Sequence, residues 1–157
     1  MFVLGGVAME SHATPAKIDR APRAIVDLLD NAFTLAVARL MVTAPFLAGG
    51  LTKLLDWQAG VAEMIHVGLH PAWAFNAAAL GTQLVGSALV ILNRRLWLGA
   101  GALGIFTVWA TLLAHRFWDF TGSERMAQMN AFFEHWTICA AFILVTVVGF
   151  RGSRCRP

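Results

Sequence analysis

The chain has 157 residues, 58% hydrophobic and 13% charged, with a net charge of +3 and a mean hydropathy of +0.65. A water-soluble domain carries about 25% charged residues, so this chain could not cover a globule with polar surface. The balance excludes a disordered chain, a disulfide scaffold and an ordinary cytosolic enzyme, and it points to lipid as the solvent.

Residues 1–32 read as a cytoplasmic segment. Its opening "MFVLGGVA" is too short for a signal peptide and has no basic region before it, and Met9 is an alternative start. "RAIVDLLDNAF" reads as an interfacial helix or an extended start to the first span. A membrane helix needs about 20 mostly apolar residues. Four segments qualify within a 33–150 domain: Phe33–Leu55, Ala72–Leu92, Leu96–Ala114 and Ala131–Phe150. Lipid requires every backbone amide to be paired internally, and none of these runs shows the period-2 alternation of a barrel strand. The fold class predicted is all-α, an integral membrane antiparallel four-helix bundle. A short basic tail, 151–157, follows.

The connections differ. "NRR" between the second and third spans is a tight hairpin, whereas "DWQAGVAEMIHVGLHP" and "HRFWDFTGSERMAQMN" are longer. In the former, Val61, Met64, Ile65 and Gly68 form one helical face opposite Glu63 and His66, as in a helix lying in the membrane interface. Trp57, Trp73, Trp118 and Trp136 form an aromatic belt at that boundary. Lys17, Arg20, Arg23, Arg94, Arg95, Arg151, Arg154 and Arg156 fall on one side and Lys53, Arg116 and Arg125 on the other. The positive-inside rule then places both termini in the cytoplasm. The basic pI reports topology, not nucleic-acid binding.

Polar residues inside a bilayer are costly and call for a reason. Arg39, Phe46, Gly50 and Lys53 share one stripe of the first span, and Gly49–Gly50 admits a close helix neighbour. Lys53 can snorkel to the interface. Arg39 lies about two turns inside Asn31, deeper than a side chain readily reaches. It is either an anchor or part of an intramembrane polar or ligand-binding site with Gln83 and Asn76, a Gln83 carbonyl facing its guanidinium. The two amides can also serve simply as interhelical hydrogen-bonding groups. Lys53, His115, Arg116, Glu134 and His135 are expected to converge in an ionic cluster at the outer face. Glu134 is then protonated or paired with Lys53 or Arg116. Two His and a Glu admit a metal or haem reading, but no HExxH or Glu-x-x-His spacing supports one, so no metal site is assigned. Nor is there a catalytic motif. Cys139 is a packing residue, and a disulfide with Cys155 is not expected.

Together these residues resemble the DoxX family of small four-helix bacterial membrane proteins. The resemblance rests on "R-x6-F-x3-G-x2-K" (Arg39, Phe46, Gly50, Lys53) within "PFLAGGLTKLLD", a loop ending "GLHP", a mid-span polar residue, the inner hairpin, a His ending the third span, and "FFEH" in the fourth. It covers Ala38 to Gly149. Members often carry an acid near the position of Gln83, and its replacement here argues against a proton relay at that point.

The resemblance implies a bacterial inner-membrane protein doing quinone-linked redox work as an accessory subunit of a redox or respiratory-type complex. On that reading it is not catalytic alone. It would carry no cofactor of its own beyond a bound quinone or lipid, with the bilayer and other integral subunits as partners. Two alternatives remain: a scaffold packing against larger membrane proteins, or a small transporter component. The lack of an inverted repeat or broken-helix pair disfavours the transporter.

Overall fold

The structure, a computed structural model, describes residues 22–154, with side chains through Arg151. The expectations for Met9, Lys17, Arg20 and Cys155 lie outside the described residues. Those residues form helices α1 (Arg23–Leu29), α2 (Ala32–Leu55), α3 (Trp57–His66), α4 (Ala72–Ile91), α5 (Leu96–Ala114) and α6 (Gly122–Arg154), with a 3-10 turn at Phe117–Asp119. Four of the helices, α2, α4, α5 and α6, are long and apolar enough to cross a membrane.

Local chemistry sets the boundaries. Asp30 closes α1 and Asn31 starts α2, its side chain accepting from the Phe33 N–H at 2.8 Å. Asp56 both closes α2 and opens α3, accepting from Ala59 N–H at 2.9 Å. One residue therefore joins the two helices without a loop. Pro71 stands before the first residue of α4, where its missing N–H orphans nothing. The hairpin between α4 and α5 turns on Asn93 and Arg95, at φ 55° and 45°. Pro45 lies inside α2, a break in the hydrogen-bond ladder that membrane helices tolerate.

Of the two readings of "RAIVDLLDNAF", the structure has the separate helix, α1, and not an extended start to α2. One stretch differs from the sequence reading. The last span begins nine residues before the expected Ala131, because Gly122 adopts φ 61° and "SERMAQMN" is made largely of good helix formers. Glu124 in that first turn suits the positive end of the helix dipole.

The spanning helices pack antiparallel in chain order, α2 on α4, α4 on α5 and α5 on α6, while α2 and α6 touch little. Glycines fix the registers. A Cβ at Gly50 would meet Leu84 and Gln83, and one at Gly99 would meet the Gly86 carbonyl oxygen at 2.8 Å. The core lies toward the α4–α5 hairpin: Phe46, Val90, Leu96, Ala100, Leu103 and Phe142. Phe46 meets Phe106 and Phe142 ring to ring at 6.3 and 5.5 Å between centroids.

Candidate ligand-binding groove

At the end opposite the hairpin, α2 stops early and α3 folds back onto α4. Gly60 of α3 sits so close to the Asn76 amide that a Cβ there would collide with it. The Asn76 Nδ2 reaches the Trp57 carbonyl at 3.5 Å. This seating turns Gly60 and Met64 inward and leaves Ile65 54% exposed. The face expected from the sequence is thus rotated. Glu63 sits beside the buried positions, and it, not the exposed Ile65, meets the bundle through Lys53.

That rotation creates an ion pair. Lys53 Nζ lies 2.7 Å from Glu63 Oε2, with the Lys side chain 10% and the Glu side chain 55% exposed. An ammonium has three N–H donors. One is spent on Glu63, and no other acceptor for Lys53 stands among the described residues.

The pair lines one end of a cavity of about 670 Å³. The rest is almost wholly apolar: Met64, Val67 and Leu69 from α3 and its exit, Phe75, Ala78, Ala79 and Thr82 from α4, and Ala102 to Ala114 of α5. Small residues account for the space. At the hairpin end glycines let α4 and α5 touch, whereas here alanines face each other and nothing fills the gap. Chemically, a lining of this kind can take an apolar chain between the helices and a hydrogen-bonding head near Lys53.

The five residues expected to converge at this end divide into separate groups. Lys53 pairs with Glu63, not Glu134. Arg116 Nε lies 3.3 Å from Asp119 Oδ2 across one turn, both exposed. Glu134 is exposed, and among the described residues no cation stands within ion-pair distance of it. The reason is register: α6 places Glu134 on its outer face while the neighbouring His135 turns toward α5. The two histidines do come together, ring centroids 4.8 Å apart. His115 Nδ1 lies 2.8 Å from Gln128 Oε1, and His135 Nδ1 lies 2.9 Å from Thr111 Oγ1. The Thr111 hydroxyl donates to the Thr107 carbonyl at 2.6 Å, so the imidazole N–H donates to Thr111. Among the described residues no three His, Cys, Asp or Glu are placed to hold a metal ion.

Arg39 and Gln83 do not meet. The Gln83 amide packs on Gly49, its Nε2 at 3.0 Å from where a Cβ would stand. Gly49 is ten residues from Arg39, about 15 Å along the helix. Stepping back from the Gly50–Leu84 contact in antiparallel register brings Arg39 level with Arg94 and Arg95. Because α2 extends about two turns beyond the hairpin, a residue two turns inside its start lies at the hairpin's depth. Arg39 is half-buried, and its guanidinium has no partner among the described residues. Asn76, Gln83 and Ser87 lie on one face of α4, 0%, 7% and 0% exposed. Asn76 Oδ1, Gln83 Oε1 and Ser87 Oγ have no hydrogen-bond partner among the described residues.

The sequence reading passed over Glu63 as a site residue. Its signal was present: Lys53 precedes the first strong break, and Glu63 is the acid one helical segment later. Thr82 and the alanines of α4 and α5 carry no such signal, since small residues also mark tight packing.

The DoxX family profile matches residues 34–116. The chain is 24% identical over 115 residues to inner membrane protein YphA of Escherichia coli (strain K12), covering 73% of this chain and 82% of that protein. No solved structure matches it.

Proposed function

Since the chain belongs to the DoxX family, we propose that it is an accessory subunit of a redox-type complex in a bacterial inner membrane, holding a quinone or lipid between its helices. The observation that carries this is the groove itself: an apolar cavity of about 670 Å³ with Lys53 at one end, two of its N–H donors unspent. A quinone or ester carbonyl is the acceptor such donors suit. The α4 and α5 walls hold the chain, Lys53 orients the head, and Glu63 fixes Lys53. The Lys53–Glu63 pair supplies the charge in the wall; on this reading the electron-carrying groups belong to a partner.

The test is affinity purification of the full chain from native membranes in a mild detergent. Co-purifying subunits are identified, and bound amphiphiles are extracted for mass spectrometry. The expected result is a redox partner and one amphiphile enriched over bulk lipid, the enrichment lost in Ala110→Leu, which fills the groove, and reduced in Lys53→Met. No enrichment, or enrichment indifferent to both changes, overturns the groove's role. A non-redox partner overturns the assignment to a redox complex.

A further inference from the structure

A second recess, of about 360 Å³, adjoins the mouth of the groove, lined by His66, Gly68, Arg116 and Phe120 together with Val67, Leu113 and Ala114. Those last three residues also line the groove, so the two spaces share a wall. The groove runs along α5 from Ala114 down to Ala102, twelve residues or about 18 Å. Half the hydrocarbon core of a bilayer is about 15 Å. The groove is therefore one leaflet deep. Its mouth lies near Trp73 and Trp118, 63% and 52% exposed, at the level where interfacial aromatics meet lipid headgroups.

The recess has a cationic edge. Arg116 pairs with Asp119 through Nε at 3.3 Å and is 58% exposed, so its terminal fork can turn to a phosphate for bidentate contact. His66 adds a ring nitrogen beside it. We propose that the groove and recess together bind an anionic phospholipid of that leaflet, one acyl chain between α4 and α5 and the phosphate on Arg116 and His66. The proposal rests on the amphiphile reading above and names its ligand class. Asp119 acts as a brake on the site, since its carboxylate competes with the phosphate for the same guanidinium.

The experiment is native mass spectrometry of the full chain in detergent, titrated with phosphatidylglycerol, phosphatidylcholine or ubiquinone. Phosphatidylglycerol should be retained several-fold over phosphatidylcholine. Arg116→Gln should abolish that preference, Arg116→Lys should keep part of it, and Asp119→Asn should raise it. Arg116 is exposed, so these variants retain the fold. Equal retention of the two lipids, or a preference untouched by Arg116→Gln and Asp119→Asn, overturns the anionic assignment. If ubiquinone is retained and not displaced by phosphatidylglycerol, the anionic assignment falls while the amphiphile reading stands. Displacement of phosphatidylglycerol by millimolar inorganic phosphate makes the recess a simple anion site and overturns the lipid proposal. Retention of none of the three, with Ala110→Leu indistinguishable from the parent, removes both.

Discussion

The two ends of the same helix pair are built differently. Toward the hairpin, α4 and α5 touch through Gly86 and Gly99, and Phe46, Leu103 and Phe142 close the space beside them. Toward α3, the same helices present alanines and enclose a cavity beside a buried Lys. Glycine at a contact draws backbones together. At the other end alanines line the space instead, with α3 resting on α4 at the rim. One end fixes the bundle and the other is free to hold something, and this division can be attacked from either side.

The largest effect is expected at the packed end. Leu103 is fully buried against Gly86, and Leu103→Ala should cost about 3 kcal/mol, the range for a leucine lost from a core that cannot collapse. The filling change Ala110→Leu at the open end should alter stability by less than about 1 kcal/mol, because it enters existing space. Thermal unfolding followed by circular dichroism in detergent compares the two. Equal losses would mean that the ends do not differ in packing.

The ion pair at the open end gives an asymmetry of intermediate size. Glu63→Gln leaves an ammonium buried without its counter-charge, and should cost about 1–3 kcal/mol. Lys53→Met should cost less, since a carboxylate more than half exposed can turn to water. Lys53→Met combined with Glu63→Leu should recover much of the Glu63→Gln loss. Measured in the same unfolding assay, a Lys53→Met loss larger than that of Glu63→Gln would place Glu63, not Lys53, in the dry environment.

Much of this architecture was legible from residue type and spacing. The boundaries of α4 and α5 fall within a residue of the uncharged runs, because length and hydropathy are what a membrane selects. The helical character of α3 was legible too. Its orientation was not. Periodicity gives a face but not which neighbour claims it, and the Gly60–Asn76 contact that decides the rotation is made between elements. Arg39 failed for a related reason. Depth counted from the start of one helix assumes that all helices start at one level, and α2 overhangs the hairpin by about two turns. The open cavity was illegible because Ala78, Ala79 and Ala102 read equally as close packing or as lining.

A smaller effect probes the histidines at the open end. His135→Ala removes the N–H that Thr111 accepts, and Thr111 is 1% exposed. Because the Thr111 hydroxyl still donates to the Thr107 carbonyl, only one lone pair is orphaned. The cost should be about 1 kcal/mol, and Thr111→Val should cost little more when added to His135→Ala. Additive losses in that pair would show that the two side chains are not coupled.

The smallest expected effect lies in the hairpin and has the opposite sign. Arg95 sits at φ 45° just before α5, where a Cβ costs roughly 1–2 kcal/mol relative to the right-handed region. Arg95→Gly relieves that strain in the folded chain. It also enlarges the unfolded ensemble, which costs about 0.4–1 kcal/mol. The difference runs from about zero to a gain of about 1.6 kcal/mol, centred on about 0.8 kcal/mol. Asn93, at φ 55°, is a residue type that tolerates this region, so Asn93→Gly should gain nothing or lose slightly. Both are read as shifts in unfolding temperature. A clear loss for Arg95→Gly would mean that its exposed guanidinium contributes more to the hairpin than its backbone strain removes. The packed end would then depend on charge at its tip as well as on the glycine contacts below it.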